Sequence, residues 1–121
     1  MDATKTPGLI FLDIDGTLIE HFGNHHEQIA RRPSILRGVH KRLEEWDRAG
    51  WRIILTTGRR ESTRRHTEEQ LASLGVFYDA MIMGCGNGPR VLVNDQKPDG
   101  RLTAFAFCPK RNEGIENVHL T

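Results

Sequence analysis

The sequence predicts an α/β domain built on a mainly parallel, five-stranded sheet with helices on both faces. Two observations carry that prediction. Short apolar runs alternate with stretches of helical periodicity, and three of those runs end in polar residues that would gather at one end of such a sheet. At 121 residues, 37% hydrophobic and 27% charged, the chain has the length of one domain, expected to span residues 1–121.

The elements follow in order. Residues 9–14, LIFLDI, are an apolar run halted by Asp15-Gly16-Thr17 and read as a buried strand. Residues 18–32 are polar, rich in His and without clear period. From Pro33, the residues Ile35, Leu36, Val39, Leu43 and Trp46 recur at helical spacing, with Pro33 suited to the first turn and Gly50 to the position past the end. WRIILT (51–56) is a second strand, stopped by Thr57-Gly58. Residues 60–74 are helical again, with Thr67, Leu71 and Leu74 on one face and Gly75 as the stop. YDAMIM (78–83), VLVN (91–94) and LTAFAF (102–107) complete the five strands.

Composition excludes several classes. Lys and Arg number 17 against 16 Asp and Glu, a net charge of +1, which argues against a disordered tail or a basic nucleic-acid coat. Cys85 and Cys108 fit neither a disulfide framework nor a zinc-ligand spacing. The opening MDATKTPG lacks the apolar core of a signal peptide, and no run approaches a membrane span. A soluble, cytoplasmic protein with no membrane partner is expected.

The chemistry gathers at the strand ends. Asp13 and Asp15 flank one residue at the end of the first strand, and Asp95 arrives after the fourth. Such carboxylates suit Mg²⁺, which takes few protein ligands and accepts a phosphate oxygen. Gly16 permits the turn that folds Asp15 back towards Asp13. Thr57 offers a hydroxyl, and Gly58 opens the following backbone N–H groups to an anion. Together these groups would serve phosphoryl transfer, with an Asp attacking phosphorus. A calcium loop fails, because counting from Asp13 puts Leu18 and Asn24 where an EF-hand needs Gly and Glu.

FLDIDGTL (11–18), ILTTGR (54–59) and VLVND (91–95), in that order, resemble motifs one, two and four of the haloacid dehalogenase-like hydrolase superfamily. The resemblance implies a Rossmann-like three-layer fold with strand order 5-4-1-2-3, a Mg²⁺ cofactor and an aspartyl-phosphate intermediate. By that match Asp13 is the nucleophile and a metal ligand. Asp15 is the general acid/base and lends its backbone carbonyl to the metal. Thr57 holds the phosphoryl group, Asp95 completes the metal site, and Asp99 is similar to a supporting second acid. Gly16, Thr17, Gly58 and Arg59 fall at the substrate phosphate. The LTTGRRES and NDQKPDG stretches are similar to small phosphatases of capsular-polysaccharide biosynthesis.

The third motif of that family is a Lys or Arg beside the nucleophile, usually on a helix before the fourth strand. Here only GCGNGPR separates MIM from VLVN. Those seven residues reach about 24 Å against about 21 Å needed to return to the start of the fourth strand. In a fourth strand Arg90 would lie about 16 Å below Asp95, so Lys97 is the expected third-motif residue. Neither usual insertion point has room for a cap domain, and a capless site is expected to borrow cover from a homo-oligomer.

His21, His25 and His26 follow the first motif and are read as plain surface histidines, as phosphate or substrate contacts, or, against the lack of other ligands, as a zinc site. Arg59, Arg60, Arg64, Arg65 and His66 open the second helix with a basic cluster, which either steers an anion or is a solvated face. Gly84, Gly86 and Gly88 read as turn residues and not as a dinucleotide fingerprint. The expected activity is hydrolysis of a small phosphomonoester such as a sugar phosphate. The alternatives are a nucleic-acid-end phosphatase, which the near-neutral charge disfavours, and a degenerate domain that only binds a phosphorylated ligand or partner.

Overall fold

A computed structural model describes residues 6–120. The chain runs β1 (Leu9–Asp13), α1 (His25–Ala30), α2 (Val39–Arg48), β2 (Arg52–Thr56), a 3₁₀ turn (Glu61–Thr63), α3 (Arg64–Ser73) and β3 (Ala80–Ile82). The three strands form one parallel sheet in the order β1-β2-β3. Register runs from Leu9 beside Arg52 to Asp13 beside Thr56, and from Ile54 beside Ala80 to Thr56 beside Ile82. Parallel neighbours require crossovers, and α2 and α3 supply them.

Alternation along the strands separates the two faces of the sheet. Leu12, Leu55 and Met81 stand side by side and share one core with Val39, Leu43 and Trp46 of α2 and Leu71 of α3. On the opposite face Leu9, Phe11 and Ile82 remain 51%, 49% and 50% exposed. Among the described residues the architecture is therefore two-layered, where helices on both faces were expected.

The fourth and fifth strands are also absent among the described residues. Residues 91–94 and 102–107 carry no strand pairing. Val91 and Val93 are 82% and 90% exposed, and every residue from Gly86 to Leu102 faces solvent. These residues instead form a projecting arm that contacts itself. The Asn94 amide donates to Thr103 Oγ1 at 2.7 Å, and the Lys97 N–H donates to the Arg101 carbonyl at 2.9 Å. The cause lies in the link before it. The Gly84 N–H donates to the Arg59 carbonyl at 2.7 Å and the Cys85 N–H to the Thr57 carbonyl at 2.9 Å. Part of the seven-residue link is thus fastened to the carboxyl end of β2 and cannot carry the chain back down the sheet.

Two helix boundaries also differ from expectation. The helix expected from Pro33 begins at Val39, because Ile35 bridges to Ile19 and Gly38 is left-handed at φ +77°. A Cβ on Gly38 would fall 2.5 Å from Glu116 Cα. The six-residue α1 lies within the stretch that showed no period. Asn24 caps it, accepting the Glu27 N–H at 2.8 Å. After the arm, residues 111–120 return to the body. Ile115 is buried, its N–H donates to the Arg37 carbonyl at 2.9 Å, and Val118 and Leu120 pack against the core. No helix of the described residues is long and apolar enough to cross a membrane.

Candidate active site

The carboxyl ends of β1 and β2 meet at the pair Asp13 and Thr56, which brings Asp13, Asp15 and Thr57 to one end of the sheet. Beyond β1 the chain turns tightly. The Ile14 carbonyl accepts N–H groups from Thr17, Leu18 and Ile19, and the Gly16 N–H donates to the Ile19 carbonyl at 2.7 Å. Gly16 takes φ +90°, a conformation a side chain would strain. This turn projects the two acids from consecutive positions of one face while Ile14 between them fills the core.

Asp13 is exposed at the strand end, but the protein crowded around its carboxyl raises the pKa above the ordinary 3.8. The neighbouring Asp15 charge pushes in the same direction. A backbone hydrogen bond from Ile14, the Thr17 hydroxyl at 3.4 Å and the Arg90 charge pull it back down. Asp15 is held differently. Arg59, only 2% exposed in its side chain, donates from Nε and Nη2 to both Asp15 oxygens at 2.9 and 2.8 Å. Its Nη1 donates to Thr67 Oγ1 at 3.1 Å. This planar two-bond fork fixes the carboxylate's orientation.

Thr57 is buried and its Oγ1 accepts the Arg59 N–H at 3.0 Å, which leaves the hydroxyl proton free to donate. Gly58 sits where a Cβ would come within 2.8 Å of the Gly86 carbonyl, so its role in this arrangement is close approach. Of the expected residues, the fold gathers Asp13, Asp15, Gly16, Thr17, Thr57, Gly58 and Arg59 at the strand ends. It does not bring Asp95 or Lys97 there. Both lie on the exposed arm, Lys97 in the turn that returns to Arg101 and Asp99 beside Arg101 at 2.8 Å. Arg90 stays nearer the acids: it holds the Gly88 carbonyl at 2.8 Å and its charge is felt at Asp13.

Asp13 and the Asp15 carbonyl are the donors that could hold Mg²⁺, and oxygen ligands of this kind suit it. Among the described residues no three His, Cys, Asp or Glu side chains come together. The histidines divide. His21 exchanges hydrogen bonds with the Asn112 side chain, its N–H donating at 2.7 Å and its carbonyl accepting at 3.1 Å. His25 and His26 line a shallow groove of about 500 Å³ with Ile29, Arg60 and Thr63. The basic cluster is largely spent on neighbours: Arg59 on Asp15, Arg64 on Glu61 at 2.6 Å, and Arg65 on Glu69 at 3.2 Å.

Arg111 and Asn112 were not singled out in the sequence. Arg111 Cγ would sit 3.0 Å from a Cβ on Gly16, and the Asn112 N–H donates to the Gly16 carbonyl at 2.8 Å. They brace the turn between the two acids from the far end of the chain. The only sequence signal was a polar RNEG stretch after the last apolar run.

The fold and site define an α/β domain with a parallel sheet and paired acids at its carboxyl end. No protein-family model matches the sequence, and no curated protein does. Among solved structures, a chain in the structure of a Pnkp1/Rnl/Hen1 complex is similar, at 29% identity and a TM-score of 0.57. The match covers 73% of this chain and 31% of that one, so this chain spans about a third of its neighbour's length.

Proposed function

We propose that the chain is a Mg²⁺-dependent phosphomonoester hydrolase of the haloacid dehalogenase-like kind. The observation that carries the reading is the adjoining of Asp13, Asp15 and Thr57 at the ends of two paired parallel strands. The 29% identity to a chain of the Pnkp1/Rnl/Hen1 complex supports it. In this reading an Asp13 oxygen attacks phosphorus, the ester P–O bond breaks, and the leaving alkoxide takes a proton from Asp15. Water then attacks the phosphorus of the aspartyl phosphate, giving its proton to Asp15 and freeing Asp13 and inorganic phosphate. Mg²⁺, held by Asp13 and the Asp15 carbonyl, would neutralise charge on the phosphoryl oxygens. The Thr57 hydroxyl would donate to one of those oxygens.

Asp15 can serve as acid only when it carries a proton and turns off the Arg59 fork towards the leaving group. No inserted domain covers the substrate side among the described residues. Arg64 and Arg65 of the basic cluster are paired with Glu61 and Glu69, which favours a small phosphomonoester over a phosphate backbone. Turnover of an aryl phosphate with Mg²⁺ and with excess chelator tests the reading. Metal-dependent release of phosphate supports it, and no release at any metal concentration overturns it. A panel of sugar phosphates against 3′-phosphorylated oligonucleotides then separates the substrate classes.

A further inference from the structure

The arm after β3 carries apolar residues that a water-facing loop does not need. Val91, Leu92 and Val93 are 82%, 58% and 90% exposed, and Phe105 and Phe107 are 46% and 44% exposed on the returning limb. Against this, β1 is an edge strand whose Leu9 and Phe11 are half exposed and whose outer side has no strand beside it among the described residues. Unpaired, apolar edges of this kind are templates for a further strand. Residues 91–95 match β1 in length, and in a parallel register Val91, Val93 and Asp95 stand beside Leu9, Phe11 and Asp13.

In that register the chain's own arm falls short of β1. Gly86 lies against Gly58 at the carboxyl end of β2, and the five steps from Gly86 to Val91 reach at most about 18 Å. Leu9 is level with Arg52, about 20 Å down the sheet from Gly58 and about 10 Å across to the far side of β1, or about 22 Å in all. Arg90 shortens the tether further by holding the Gly86 and Gly88 carbonyls. Lys110 to Ile115 fasten the other root, with the Asn112 N–H on Gly16 and the Ile115 N–H on Arg37. The arm is therefore rooted at both ends and faces outward.

We propose that the 87–109 arm exchanges between two copies of this chain, residues 91–95 pairing in parallel with β1 of the second copy and setting Asp95 beside that copy's Asp13. A twofold exchange satisfies both edges at once. Eight large apolar side chains of β1 and the arm are exposed. At roughly 100 Å² each, about half of what a large side chain buries in full, the pair would bury up to about 1,600 Å², within the size of a stable interface. Each site then takes Asp13, Asp15, Thr57 and Arg90 from one copy and Asp95 from the other. The metal role of Asp95 rests on the proposed hydrolase reading; the strand exchange does not.

The test is a cysteine pair, Phe11→Cys with Val93→Cys, in a chain whose Cys85 and Cys108 are changed to Ser. Neighbouring strands hold such a pair within disulfide reach. Oxidation is expected to give a covalent species of twice the 13.8 kDa chain mass on a non-reducing gel. Light scattering of the unmodified protein is expected to give the same doubled mass, and Val93→Asp to reduce it to one chain. A disulfide closed within one chain, or an unmodified protein that stays at 13.8 kDa across working concentrations, overturns the exchange. Refolding Asp13→Asn together with Asp95→Asn separates the two claims, since an exchanged pair rebuilds one intact site and recovers about a quarter of the activity. A cross-linked dimer without that recovery keeps the exchange and overturns the role of Asp95.

Discussion

Removing the Arg59 guanidinium tests how the second acid is held. Arg59 is 2% exposed and Asp15 16%, and two short hydrogen bonds join them. Arg59→Ala leaves a carboxylate without its partner, a Thr67 hydroxyl without its donor and a cavity where the side chain lay. Breaking a buried pair costs about 3–5 kcal/mol. The remaining exposure of Asp15 places the electrostatic part near the lower end, about 3 kcal/mol, and the cavity brings the total to about 4 kcal/mol. That is a large share of the roughly 5–15 kcal/mol a domain possesses. With a urea slope of about 1–1.5 kcal/mol per molar for a chain of this size, the midpoint should fall by about 3 M. Arg59→Lys keeps the charge but not the fork and should cost about 1–2 kcal/mol. A double-mutant cycle with Asp15→Asn should return a coupling of about 2 kcal/mol or more. An Arg59→Ala midpoint within about 0.5 M of the parent would refute this account of Asp15.

Asp13→Asn should abolish phosphate release. Because the folded protein raises the Asp13 pKa above 3.8, the ionised carboxyl opposes folding at neutral pH. The metal-free variant should therefore be at least as stable as the parent at pH 7, with the difference vanishing as pH falls below 3.8; urea midpoints across pH measure it. Asp15→Asn should slow turnover by a factor of about 10²–10⁴ while Mg²⁺ affinity, read by calorimetry, survives through the retained carbonyl. Gly38→Ala should cost about 1–3 kcal/mol from strain and collision with Glu116. Gly100→Ala, also at positive φ but in open space, should cost visibly less in the same thermal melts.

The sequence made three strands and two crossover helices legible because their signals are local. LIFLD and RIILT alternate into a core that Leu43 and Leu71 cover from period 3.6. Asp13, Asp15 and Thr57 were legible for the same reason, as each closes an apolar run at a strand end. VLVN and LTAFAF carry the same strand signal, yet they form no strand among the described residues. A strand needs a neighbour within reach, and the fastening of Gly84 and Cys85 to Arg59 and Thr57 removes that reach. Arg59 was expected at the substrate phosphate, and its length alone gave no sign that Asp15 and Thr67 would draw it inward. The bracing of Gly16 by Arg111 and Asn112 joins positions about 95 residues apart, and no periodicity reports a contact of that kind.

The proposed hydrolase forms a covalent phosphoryl group on Asp13. The direct measurement is to quench the enzyme during turnover of a phosphomonoester with Mg²⁺, reduce with borohydride and sequence the peptides by mass spectrometry. Residue 13, and no other Asp, is expected to be converted to homoserine by reduction of its acyl phosphate, and Asp13→Asn is expected to give none. Conversion at Asp15 or Asp95, or steady turnover with position 13 unmodified under trapping conditions that capture a control aspartyl phosphate, would contradict it.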